Sequence, residues 1–178
     1  MSVVLLDSGG ANLGSVRAAL ARLGVEAPVT SDAALVRAAD RVILPGVGAA
    51  GPAMATLRAN GLDRVVPTLT QPLLGICLGM QLLFDGSDEG DVACLGLLPG
   101  RARLFDAARC GRVPHMGWNA LIPRRASPLT AGLDADAYAY FVHSYAVEES
   151  PDTLAACEYG GGFAAVVGRG NVFGVQFH

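Results

Sequence analysis

The sequence predicts an α/β fold: a single domain with a mostly parallel central sheet flanked by helices, and a second half in mixed, antiparallel orientation. Three observations predict it. As far as Phe84, short apolar runs alternate with apolar residues at helical spacing, the grammar of β-α units whose sheet is covered on both faces. From about residue 90 the texture changes to short β-like runs broken by Gly and Pro. A chain of 178 residues, 52% hydrophobic and 16% charged, suits one well-buried core.

The elements follow in order. Val3–Leu6 is apolar and ends in Asp7-Ser8-Gly9-Gly10, a strand and then a loop. Leu13, Val16, Leu20 and Leu23 recur at helical spacing, with Asn12 as the expected cap and Gly24 as the stop. A strand is expected over 25–30, a helix capped by Ser31 and running to 39, a third strand over 41–44 and a helix over 52–60. Leu73-Leu74-Gly75-Ile76 reads as the fourth strand and leads straight into a helix over 78–84. Beyond it, β-like runs lie at 101–105, 137–142, 154–159 and 163–167, and Val167-Gly168-Arg169-Gly170-Asn171-Val172 reads as a hairpin. No linker or repeat divides the chain, so the second half is expected to extend the same sheet.

Composition excludes several functions. Lysine and arginine number 13 against 16 acids, a net charge of −3, and aromatics make up 6%; with no basic block, nucleic acid is not an expected partner. The N-terminus reaches Asp7 after a short apolar run, too soon for a signal segment, and no later stretch approaches a membrane span. A soluble, cytoplasmic protein is expected. Cys77, Cys94, Cys110 and Cys157 form no C-x-x-C pair and have no histidine at finger-like spacing, so neither zinc nor a disulfide framework is expected. Cys94, Cys110 and Cys157 read as small, partly buried hydrophobes.

Cys77 differs because of its neighbours. Gly75-Ile76-Cys77-Leu78-Gly79 sits between a predicted strand and a predicted helix, the pattern of a nucleophile elbow with cysteine in the serine position. A sharp strand-to-helix turn forces strained backbone geometry at its apex and needs glycines on either side. The thiol is lifted clear of the sheet, and the helix end is expected to favour thiolate, with the Leu78 N–H as an oxyanion donor. A nucleophile needs a base. Of His115, His143 and His178, His178 is the candidate, because it ends the run Val172-Phe173-Gly174-Val175-Gln176-Phe177 and so lies at the carboxyl end of a late strand, where α/β sheets gather reactive groups.

Pro45-Gly46-Val47-Gly48-Ala49-Ala50-Gly51 satisfies G-x-G-x-x-G after a strand and before a helix. A dinucleotide site would need an acid at the end of the following strand, where Ile76-Cys77 stands instead. The other use is a bare backbone segment whose N–H groups approach a substrate carbonyl, the second half of an oxyanion hole.

With those residues in view, the chain resembles the class I, triad-type glutamine amidotransferases, of flavodoxin-like architecture. Pro45-Gly46-Val47-Gly48 looks like the family's oxyanion strand, and Gly75-Ile76-Cys77-Leu78-Gly79-Met80-Gln81 like its elbow. Val113-Pro114-His115-Met116-Gly117-Trp118-Asn119 and Tyr140-Phe141-Val142-His143-Ser144-Tyr145 resemble segments of those members that serve histidine biosynthesis. The opening Gly-Gly-Ala-Asn12-Leu13-Gly-Ser agrees. The resemblance implies that Cys77 attacks the side-chain amide of glutamine with help from His178. It also implies that Val47 or Gly48 and Leu78 supply oxyanion donors, and that Gln81, Ser144 and Tyr145 hold the amino acid. Ammonia would pass to a separate cyclase (synthase) subunit, a (β/α)₈ barrel, forming a heterodimer with it near Asn12, His115, Met116 and Trp118. No metal and no organic cofactor is implied.

The family pattern continues past the catalytic histidine with a glutamate and a terminal helix, whereas this sequence stops at His178. The expectation is therefore an amidotransferase domain over 1–178, truncated after its base and weak or inactive in that form. Two competing readings are a catalytically impaired binding subunit and a cysteine-type hydrolase that shares the elbow but not the glutamine-binding residues.

Overall fold

The computed structural model describes residues 1–9, 13–134 and 136–178. Its main sheet has eight strands in the spatial order Val29–Thr30, Val3–Leu6, Arg41–Gly46, Leu73–Cys77, Val172–Val175, Gly162–Arg169, Thr153–Glu158 and Ile122–Pro123. The first five run parallel, and beyond Val172–Val175 each strand pairs antiparallel with the one before it. All of Val3–Leu6 is buried, as is Arg41–Gly46 apart from its first residue. Continuous burial of this kind needs cover on both faces, and it explains why these strands read as unbroken apolar runs.

Register does the functional work. Gly46 lies opposite Cys77, and Val175 lies beside Ile76. Three neighbouring parallel strands therefore end together. The residues that follow them, Val47-Gly48, Leu78 and Gln176 to His178, emerge at one carboxyl edge, where open α/β sheets place their sites.

Several expected boundaries are corrected. The second strand is only Val29–Thr30. The helix after it is Ala33–Ala38, capped by Asp32 and not Ser31: the Asp32 carboxylate accepts from the Ala34 and Leu35 N–H groups at 2.7 and 3.4 Å, which satisfies two otherwise unpaired donors. The expected Asn12 cap lies outside the described residues. The helix expected over 52–60 is Ala50–Ala59, and a short helix, Leu62–Val65, was not anticipated.

The helix expected over 78–84 is a single turn, Leu78–Gln81, after which the chain becomes the strand Phe84–Ser87. Every residue from Leu78 to Phe84 is buried. A helix with no polar face has to be enclosed on all sides, and here the enclosure comes from strand pairing: Phe84–Ser87 joins a second, four-stranded sheet with Val92–Ala93, Leu98–Leu104 and Tyr145–Ala146.

The second half extends the main sheet as expected through Gly162–Arg169, Thr153–Glu158 and the hairpin in which Arg169 pairs with Val172. It also builds the four-stranded sheet and a separate two-stranded ribbon, His115–Ala120 against Tyr138–His143. Among the described residues, no helix is long and apolar enough to cross a membrane.

Candidate active site

Cys77 sits at the apex of the turn with φ 54° and ψ −111°, a conformation that L-residues rarely adopt. Close contact imposes the flanking glycines. A Cβ on Gly79 would strike the Leu44 carbonyl oxygen, and one on Gly46 would lie 2.7 Å from the Gly79 nitrogen, so the third strand and the elbow are pressed backbone to backbone. The first glycine of the G-x-G-x-x-G segment is thereby used for packing. Its second, Gly48, has φ +88° and borders a cavity. These two uses account for both glycines without a phosphate ligand.

That cavity, about 330 Å³, is lined by Val47, Gly48, Cys77, Leu78 and Gln81. Val142, Ser144, Tyr145 and His178 line it as well. Every residue expected to act as nucleophile, base, oxyanion donor or substrate contact thus lines one space. Cys77 is 6% exposed: it is buried, yet it lines the cavity. The His178 backbone N–H donates to the Tyr140 carbonyl at 3.3 Å, which ties the end of the sheet to the ribbon.

Residues expected near a partner separate into three groups. Met116 and Trp118 are exposed on the ribbon at 61% and 71%. His115 does not share that surface: it is buried, stacked between Phe141 and Tyr159 with ring centroids 5.0 and 4.0 Å away. Alternation along a strand explains the split, since His115 and Met116 point to opposite faces. Asn12 is among the residues not described.

Three further residues were missed. Glu89 lines the cavity and accepts from the Ala50 N–H at 3.0 Å, tying a carboxylate to the start of the helix that follows Gly48. His143 lines it too, with Nδ1 2.8 Å from the Tyr145 carbonyl. Gln176, fully buried, donates from Nε2 to the Cys77 sulfur at 3.7 Å. Its signal was legible, since it is the one polar side chain in the apolar run from Val172 to Phe177 and stands two residues before the candidate base. Glu89 lies in a turn and carries no pattern of its own.

The electrostatics correct one expectation. Burial pushes the Cys77 thiol up to about 11, against the opposing pull of the Leu78 N–H and the Gln176 amide. A helix of one turn has little dipole to offer, so desolvation wins and the resting group is a thiol, not a thiolate. Burial also lowers the His178 pKa. A thiol and an imidazole whose pKa is lowered border the same cavity, the pair that proton transfer at the moment of attack requires. Among the described residues, no group of three or more His, Cys, Asp or Glu is placed to hold a metal ion.

Comparison with known proteins identifies the family. A family model described as "Glutamine amidotransferase class-I" matches residues 4–178. The chain is 61% identical over 176 residues to "Imidazole glycerol phosphate synthase subunit HisH" of Xanthomonas oryzae pv. oryzae (strain MAFF 311018), covering 99% of this chain and 88% of that one. It is 59% identical, with the same coverage, to the protein of that name from Xylella fastidiosa (strain Temecula1 / ATCC 700964). Among solved structures, it resembles a glutamine amidotransferase at TM-score 0.77 and 20% identity, covering 100% of this chain and 90% of the other. A second glutamine amidotransferase, from Thermotoga maritima, matches at TM-score 0.69 and 15% identity over 99% and 75% of the two chains.

Proposed function

The chain belongs to the class I glutamine amidotransferase family, and on that premise we propose that residues 1–178 form one amidotransferase domain, the glutaminase of an imidazole glycerol phosphate synthase, which supplies ammonia to histidine biosynthesis. One observation carries the site assignment: three adjacent parallel strands end in register, so that Cys77, the Val47-Gly48 backbone and His178 border the same cavity.

In the proposed reaction, Cys77 Sγ attacks the carboxamide carbon of glutamine while His178 takes the thiol proton. The oxyanion is held by the Leu78 N–H and by a backbone N–H of Val47 or Gly48. Collapse of the tetrahedral adduct breaks the C–N bond, and His178 returns its proton to the leaving nitrogen, so ammonia departs and a thioester remains. His178 then deprotonates a water that attacks the thioester, releasing glutamate and restoring the thiol. Gln81, Ser144 and Tyr145 line the part of the cavity that would hold the amino-acid end, and the Glu89 carboxylate has the charge to meet its ammonium group. This chemistry needs a reduced thiol and fits the cytoplasm.

The partner is a synthase subunit, taken to be a (β/α)₈ barrel, and the ribbon is its docking face. Met116, Trp118, Tyr138, Tyr140 and Val142 present a continuous apolar strip, paired across the strands as Met116 with Val142 and Trp118 with Tyr140. Val142 also lines the cavity. A subunit seated on the strip would therefore abut the exit through which ammonia must leave without meeting water.

The test is glutamine hydrolysis by the complex and by its Cys77→Ala variant. Loss of glutamine-dependent turnover by at least about 10³-fold, with ammonia-driven synthesis retained, is expected. A variant that also lost the ammonia-driven reaction would refute the assigned role, and partner binding without any wild-type turnover would favour a binding subunit.

A further inference from the structure

The polarity of the cavity wall is decided by one backbone oxygen. The Tyr145 carbonyl can only accept. It takes one hydrogen bond from His143 Nδ1 at 2.8 Å and another from Gln81 Nε2 at 2.9 Å. The Gln81 atom facing it must be nitrogen, and that nitrogen lies 3.0 Å from Gln176 Oε1. Both amide hydrogens of Gln81 are then engaged. Gln176 must in turn point its oxygen at Gln81, which leaves its own nitrogen facing the Cys77 sulfur at 3.7 Å. Amide orientations are ordinarily ambiguous; here a single fixed acceptor settles two of them in sequence.

We propose that Gln176 is a positioning residue that holds the Gln81 amide with only its oxygen free toward the cavity, so that the site selects an amino acid by its ammonium group, while the Gln176 nitrogen steadies the Cys77 sulfur. Two further observations support this. Gln176 is fully buried and Gln81 is 4% exposed, so neither amide can exchange its partners for water. Gln81 and Glu89 line the same cavity, which gives an entering ammonium an uncharged and a charged acceptor together. A Gln81 free to turn over would present N–H donors there half the time and repel the same group.

The ammonium-selection half of the proposal rests on glutamine being the substrate; the sulfur contact does not. The experiment therefore has two arms, both on the intact protein in complex with its synthase partner. Gln176→Met keeps the volume and removes both donor and acceptor. Gln176→Asn is one methylene shorter, so its amide cannot reach Gln81 and Cys77 at once, and it keeps a polar group in case the Met variant fails to fold.

The first arm measures alkylation of Cys77 by iodoacetamide against pH. Besides Cys77, the titratable groups that line the same cavity are Glu89, His143, Tyr145 and His178, and all are unchanged in the variants. The expected result is a profile displaced to higher pH, with the rate at pH 8 reduced about tenfold, the equivalent of one pKa unit. A profile that coincides with wild type overturns the sulfur contact.

The second arm compares kcat/KM for glutamine with that for glutaramate, which has the same amide and carboxylate but no ammonium. The wild-type preference for glutamine is expected to shrink about tenfold in either variant, mainly through KM, and Gln81→Met combined with Gln176→Met should cost no more than either change alone. Equal losses on both substrates, or additive losses in the double variant, overturn the selection role. If wild type hydrolyses neither compound, the glutaminase reading fails and the ammonium selection falls with it, while the alkylation arm still decides the sulfur contact.

Discussion

The elbow and the ribbon border the same cavity and are built on opposite plans. At the elbow, strand Leu73–Cys77 and the turn Leu78–Gln81 are enclosed so tightly that three glycines could not be alanine without a clash with backbone. On the ribbon, Trp118, Met116 and Tyr138 are each more than 60% exposed, and the strip makes few demands on the rest of the molecule. One wall is shaped from inside by the chain's own core. The other is left apolar and open, a surface whose complement lies elsewhere.

The difference can be broken at the elbow with the largest effect. Gly79→Ala would drive a methyl group into the Leu44 carbonyl, where no flexible side chain can yield. A loss of at least about 3 kcal/mol in denaturant unfolding is expected, together with loss of glutaminase activity; a variant of wild-type stability would show that the two strands are less closely pressed than described.

A comparable effect is expected from acid at the junction of the two walls. Burial holds His143 down at about 4, and the neighbouring His115 and His178 push it in the same direction, although its bond to the Tyr145 carbonyl opposes them. The unfolded chain, with an ordinary histidine near 6.5, binds a proton that the folded chain refuses. The stability that follows from this is fully present above about pH 6.5 and is lost as pH falls through about 4, to the extent of about 3 kcal/mol. Burial lowers His115 and His178 too, and both add to the trend with the same sign. Unfolding of wild type and His143→Gln at several pH values between 7 and 4 checks this: the slope should flatten in the variant, and parallel slopes would exclude His143 as the main source.

The smallest effect on the chain itself should come from the ribbon. Trp118→Ala is expected to leave the stability of the isolated chain within about 0.5 kcal/mol and to weaken binding of the synthase subunit about 30-fold, or 2 kcal/mol. Thermal unfolding and titration calorimetry separate the two. A large stability loss would mean that the strip belongs to this chain's own core.

The sequence revealed most where one residue type answers to one physical demand. Gly75-Ile76-Cys77-Leu78-Gly79 could be read as an elbow because only glycine survives beside such a turn, and His178 because a strand's apolar run ended on it. Buried runs were harder. Leu78 to Phe84 carries no polar face, so helix and strand patterns coincide, and pairing with Leu98–Leu104, far along the chain, decided the matter. Glu89 acquires its place through a contact with Ala50 across a long sequence separation, and no local pattern encodes that. Asp32 rather than Ser31 became the cap because the two are equivalent by propensity and differ only in where the helix axis begins.

Gly48 carries a consequence of a different kind. A Cβ there would meet nothing within 4 Å, yet its φ is +88°. What is excluded at this position is not volume but handedness: an L-residue has room and still draws φ back to negative values, turning the preceding peptide plane. The direction of the amide bordering the cavity is therefore fixed by the absence of a stereocentre and not by packing. A wall held in that way can be re-aimed by rotating one peptide unit at a residue that adopts either sign of φ about equally readily.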